Sequence, residues 1–182
     1  NGLMIAPPYY YTPTTDEIFN YYKSICEQVN IPIMLYNNPF TTNVDMPANL
    51  VAKLTKSFEQ IRYIKEASMD VARVFDILVE TDGVMNVFAG ERIVESYLMG
   101  AVGYVNPYGN YIPKASSVIC DLMANGKTSE AKQITKVKHH THPTMKVIVI
   151  SITLTSILQH AKASAPDDDY QLIGNIVARA RM

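Results

Sequence analysis

The chain has 182 residues, 48% of them hydrophobic and 18% charged, the composition of one soluble globular domain and not of a disordered chain. Sixteen basic residues against 17 acidic ones give a formal charge of -1, and no stretch concentrates lysine and arginine as nucleic-acid binding requires. The longest apolar run, residues 147–158, is interrupted by serine and threonine and falls short of the ~20 residues of a bilayer helix, so no membrane span is expected.

Five short apolar runs recur along the chain: GLMIA (2–6), PIMLY (32–36), IRYIK (61–65), MNVFA (85–89) and VGYVN (102–106). Each precedes a loop and a segment with helical spacing. After the first, Ile18, Phe19, Tyr22, Ile25, Cys26 and Val29 form an amphipathic stripe, and Thr14 with Glu17 makes a capping box. The second helix is predicted from about Asp45, with Pro47 in its first turn and Leu50, Val51 and Leu54 inward. For the third, Ser68 is the expected cap, Val71, Val74, Phe75, Leu78 and Val79 share a face, and Gly83 ends it. A fourth stripe, Ile93, Val94, Tyr97 and Leu98, stops at Gly100, and a fifth helix runs from Pro113 to Gly126. Strands alternating with helices in this way imply βαβ crossovers and a parallel sheet, either doubly wound or barrel-like. No G-x-G-x-x-G follows any strand, which argues against a dinucleotide site.

Beyond Gly126 the rhythm changes. Val147, Ile150, Leu154, Ile157 and Leu158 fit one helical face, although strand alternation fits nearly as well, and ASAPDDDYQ (163–171) reads as a polar loop. His139, His140 and His142 have no carboxylate or cysteine close in sequence, and Asp167, Asp168 and Asp169 fit no calcium loop, so no metal site is expected. Cys26 and Cys120 sit in separate apolar helical patterns and are read as buried free thiols, which suits a reducing cytoplasm. No signal-peptide pattern opens the chain.

The chemically pointed residue is Lys65. Alternation in IRYIK places Ile61, Tyr63 and Lys65 on one face and Arg62 and Ile64 on the other, with Glu66 turned away from Lys65. Lys65 ends its strand, and barrel enzymes keep their reactive groups at that rim. An amine there is a nucleophile only in its neutral form, which apolar neighbours favour. The preceding strand ends MLYNNP with Tyr36 at the same height, and parallel neighbours lie ~4.8 Å apart. A lysine beside a phenol suits imine chemistry on a 2-oxo acid, although a snorkelling surface lysine fits the same pattern.

The segments GLMIAPPYYYTP, IMLYNNP, YIKEAS, NVFAGE and GAVGYVNPYGNYIP, in that order over residues 1–135, resemble the dihydrodipicolinate synthase / N-acetylneuraminate lyase family of class I aldolases. The resemblance implies a (β/α)8 TIM barrel, of which residues 1–126 would be a C-terminal part with about five βα units and residues 127–182 a helical extension. It implies a Schiff base between Lys65 and pyruvate or another 2-oxo acid, proton relay by Tyr36, and Tyr10 reaching across a dimer interface. It further implies that Gly90 and Val105 line the pocket, that no cofactor is used, and that the protein is a homo-oligomer, dimer or tetramer.

Two departures qualify the resemblance. The family's first three strands, with a glycine- and threonine-rich substrate loop, precede the match to Asn1, so the chain is read either as part of a longer protein or as a non-catalytic fragment. The family's synthases carry an arginine two residues past the Y-N-x-P proline, where this chain has Thr41. Loss of that bidentate cation weakens the case for aspartate semialdehyde. The hydroxyls of Thr41 and Thr42 and the amide of Asn38 then favour 2-oxo-3-deoxy sugar acids, with the synthase reaction of lysine biosynthesis as the alternative.

Overall fold

The structure is a computed structural model, and it describes residues 2–135. The expectations for the three histidines, the three aspartates and the 147–158 stretch fall outside them. The chain divides into a compact unit, Asn1–Lys132, and a second, Gln133–Met182; the account below concerns the first.

Five parallel strands, β1 (Leu3–Ile5), β2 (Ile33–Asn37), β3 (Ile61–Glu66), β4 (Asn86–Ala89) and β5 (Gly103–Tyr104), lie side by side in sequence order. Helices return the chain between them: α1 (Thr15–Cys26), a short α2 (Pro39–Thr42), α3 (Ala48–Ser57), α4 (Ala72–Glu80) and α5 (Ile93–Leu98). A short α6 (Tyr108–Tyr111) and α7 (Pro113–Ala124) follow β5. Singly wound strand order is that of a barrel wall rather than of a doubly wound sheet, whose order reverses at a switch point.

One face of the sheet packs against the helices. Ile33, Leu35, Ile61, Ile64 and Val87 meet Ile18, Tyr22, Leu50, Val51, Leu54, Val74 and Ile77 there, all of them buried. The Tyr22 hydroxyl donates to the Ile5 carbonyl at 2.9 Å, which ties α1 to the end of β1. The predicted Thr14–Glu17 capping box is present, with Thr14 N donating to Glu17 Oε2 at 2.7 Å and Glu17 N donating to Thr14 Oγ1 at 3.3 Å.

The structure corrects four sequence expectations. Ile61 does not share a face with Tyr63 and Lys65: Ile33 pairs with Ile61, but Met34 pairs with Tyr63. The extra residue, Arg62, is a bulge, and it returns Ile61 to the helix-covered side. Arg62 secures it by donating to the carbonyls of Thr55, Phe58 and Ile61. Ser68 does not cap α4, whose first helical turn follows Val71; its hydroxyl accepts from Asp70 N instead. On α4 the buried residues are Val74 and Ile77, while Phe75 and Val79 are more than half exposed, because the stripe continues to buried Thr81 rather than to Val79. Of the cysteines, Cys26 is buried as expected and Cys120 only partly so; neither forms a disulfide.

Candidate active site

The register of β2 and β3 pairs Tyr36 with Lys65 directly. Both are partly buried on the sheet face opposite the helices, along with Met34, Tyr63 and Phe88. Lys65 Nζ lies over the Tyr36 ring, 4.0 Å from its centroid, so the amine rests on the electron-rich face of the phenol. Phe88, the partner of Lys65 on β4, brings its ring centroid to 6.3 Å from that of Tyr63. Below them Gly2, Leu3, Met4, Pro32, Met34, Tyr63 and Phe88 surround an apolar hollow of about 400 Å³.

The next register pair, Asn37 and Glu66, faces the other way and is buried. Asn37 Nδ2 donates to Glu66 Oε2 at 2.9 Å and to Asp45 Oδ1 at 3.0 Å, while Asn37 Oδ1 accepts from Met46 N at 3.0 Å. Glu66 Oε1 accepts from Ser68 N at 2.7 Å, and Arg73 grips Asp45 through both terminal nitrogens. This network fastens the ends of β2 and β3 to α4, one residue beyond the Tyr36–Lys65 pair. Burial pushes the Glu66 carboxyl up, against the hydrogen bonds from Ser68 and Asn37. Burial also raises Asp45, but hydrogen bonds from Arg73 and Asn37 and the Arg73 charge outweigh it and hold that carboxyl below its ordinary value. Sequence reading missed the network; Asn37 and Glu66 lie 29 residues apart, and only the strand pairing joins them.

The remaining predicted residues spread around this pair. Asn38 Nδ2 donates to Tyr36 Oη at 2.9 Å. Thr41 is exposed, whereas Thr42 is buried with its hydroxyl bonded to the Asn38 and Val44 carbonyls. Gly90 N donates to the Glu66 carbonyl at 2.7 Å, and Val105 N donates to the Ala89 carbonyl at 2.9 Å, so both extend the sheet past its strand ends. Tyr10 stands 99% exposed on the β1–α1 loop, between exposed Tyr9 and Tyr11. Among the described residues no cluster of three or more His, Cys, Asp or Glu side chains could hold a metal, and no helix is long and apolar enough to cross a membrane.

The site thus sets a lysine on a phenol near the C-terminal ends of two neighbouring parallel strands, where barrel enzymes place reactive groups, an arrangement that suits imine formation on a carbonyl compound. Comparison with known proteins narrows this to a family. Residues 1–165 match the dihydrodipicolinate synthetase family, and the chain belongs to it. The 4-hydroxy-tetrahydrodipicolinate synthase of Sulfurihydrogenibium sp. (strain YO3AOP1) is 39% identical over 129 residues, which cover 70% of this chain and 44% of that protein. That of Persephonella marina is 34% identical over 136 residues, 74% of this chain and 46% of that protein. The chain thus spans about half the length of the curated relatives it matches. The solved dihydrodipicolinate synthase of Acinetobacter baumannii, complexed with pyruvate, superposes with a TM-score of 0.75 at 26% identity, covering 98% of this chain and 65% of that one. The Thermotoga maritima dihydrodipicolinate synthase gives a TM-score of 0.75 at 20% identity over 99% of this chain and 66% of its own. The fold is accordingly an arc of five βα units of a (β/α)8 barrel.

Proposed function

We propose that this sequence carries the pyruvate-activating half of a 4-hydroxy-tetrahydrodipicolinate synthase. The observation that carries the reading is the direct pairing of Tyr36 with Lys65, with the amine 4.0 Å from the phenol ring centroid. The neutral Lys65 amine adds to the ketone carbon of pyruvate, and the carbinolamine hydroxyl leaves as water after taking a proton from Tyr36. Loss of a proton from the methyl carbon of the resulting iminium gives an enamine. That carbon then attacks the aldehyde of aspartate semialdehyde. Tyr10, Thr41, Gly90 and Val105 are proposed to shape the pocket, and the protein to act as a homo-oligomer.

The relatives support this reading over the sugar-acid lyase that Thr41 suggests from sequence, since those at 39% and 34% identity are synthases. Side-chain geometry points the same way. Of the three polar groups that would meet a sugar's hydroxyls, the Thr42 hydroxyl is buried and bonded, the Asn38 amide is turned to Tyr36, and Thr41 alone is exposed.

The test is borohydride reduction of the full chain with pyruvate, followed by peptide mapping. An adduct is expected on Lys65 and none after Lys65→Ala. Aspartate semialdehyde should then turn over faster than 2-oxo-3-deoxy sugar acids. No adduct in the unaltered chain would leave a non-catalytic fragment, and the opposite substrate preference would restore the sugar-acid lyase.

A further inference from the structure

Tyr36 is held at two points, and only one of them is a reacting group. Lys65 lies on its ring face, while Asn38 Nδ2 donates to its Oη at 2.9 Å. The second contact is unusual for its place in the chain. Asn38 is the residue that opens α2, with φ -146 and ψ 74, where an asparagine side chain ordinarily accepts from an amide of the first helical turn. Here it makes no such bond. The Asn38 main-chain carbonyl takes the amides of Thr41 and Thr42, each at 3.0 Å, and its side chain turns back two residues to the phenol. Pro39 and the left-handed Asn43, whose amide donates to the Pro39 carbonyl, hold the short helix that carries it.

A phenol oxygen has one proton to give and two lone pairs to receive. With an amide donating to one lone pair, the hydroxyl hydrogen is turned away from Asn38. We propose that Asn38 is a positioning residue that acts through Tyr36, aiming the phenol's proton at the substrate and supporting the oxygen once that proton has gone. The proposal rests on the imine reading above. Tyr36 gives its proton to the departing carbinolamine hydroxyl and regains one from the methyl carbon of the iminium as the enamine forms, so the protons balance over the two steps. Between them the oxygen is anionic, and a hydrogen bond to an anion is stronger than one to a neutral oxygen. Asn38 therefore assists the transition state more than the bound ground state, and its signature belongs in kcat.

Two variants of the full chain test this with pyruvate and aspartate semialdehyde. Asn38→Leu removes the donor, and kcat should fall by about 10²-fold with KM for pyruvate little changed. Asn38→Asp replaces the donor with an acceptor that draws the phenol proton to itself, so its loss at neutral pH should be larger. Relative to the unaltered chain at each pH, Asn38→Asp should recover as pH falls towards about 4, where the protonated acid again donates; Asn38→Leu should not. A rise in KM at constant kcat would place Asn38 on the substrate and overturn the proposal, as would turnover equal to the unaltered chain in both variants. Should Asn38→Leu fail to melt cooperatively, the acid recovery of Asn38→Asp decides alone, and its absence overturns the proposal. Borohydride trapping separates the two levels: no Lys65 adduct in the unaltered chain overturns the imine reading, whereas adducts in all three chains with equal kcat overturn only the role of Asn38.

Discussion

A Cβ built on Gly103 would lie 2.3 Å from Phe88 Cε1 and 2.4 Å from Cδ1, inside the ring that neighbours Lys65. The backbone of β5 is thus close enough to β4 that only a missing side chain lets the ring lie where it does. Gly103→Ala should force Phe88 aside and destabilise the fold by about 1–3 kcal/mol, read from urea unfolding; an unchanged midpoint would refute the packing. Gly90, which the family resemblance places in the pocket wall, has a constraint of its own, since its Cβ would come within 2.5 Å of the Ala67 Cβ and 3.0 Å of the Glu66 carbonyl. Neither contact is legible in NVFAGE or VGYVN, because the reason for each glycine sits on another strand. Tyr36 and Lys65 were legible for the opposite reason. Each is the polar residue closing an apolar run, and two parallel strands of similar length bring such closing residues to one height.

Among the elements of the described residues, periodicity located every strand and the long helices and gave the inward faces of α1 and α3, but it misplaced those of β3 and α4. The bulge at Arg62 shifts the pleat by one residue, and hydrophobic alternation cannot count a residue that pairs with nothing. On α4, Val74, Phe75, Leu78 and Val79 form as good an apolar stripe as Val74 and Ile77 followed by Thr81; the threonine decides, because its hydroxyl is satisfied internally by the Ile77 carbonyl at 2.6 Å. Two substitutions separate the stripes. Ile77→Ala should cost about 2–5 kcal/mol, and Phe75→Ser should stay within about 0.5 kcal/mol. Similar losses at both positions in urea titrations would mean that α4 is rotated from the orientation described. At the start of α1 the sequence signature was sufficient, and Thr14→Ala should lower stability by about 1 kcal/mol through loss of the capping box.

At the scale of the whole described sheet, the Asn37–Glu66–Asp45–Arg73 network joins β2 and β3 to α4, and its two carboxyls respond to acid in opposite senses. Glu66 is raised by burial above its ordinary 4.5, so the stability tied to its neutral form is complete below pH 4.5 and is lost as pH climbs through the folded value. Asp45 is held below its ordinary 3.8, so its contribution is complete above pH 3.8 and is lost as pH falls through a folded value lower still. Glu66→Gln removes the first effect while leaving an oxygen for Ser68 N. Measured by urea unfolding from about pH 3 to about pH 8, the stability of Glu66→Gln relative to the unaltered chain should rise with pH from 4.5 and then level off. Asp45→Asn should lose part of its disadvantage as pH falls below 3.8, where the contribution of the aspartate in the unaltered chain begins to fall away. Parallel stability curves for the unaltered chain and Glu66→Gln would mean that the carboxyl is solvated rather than buried. The Asn37–Glu66 bond would then no longer account for how β2 and β3 hold Tyr36 against Lys65.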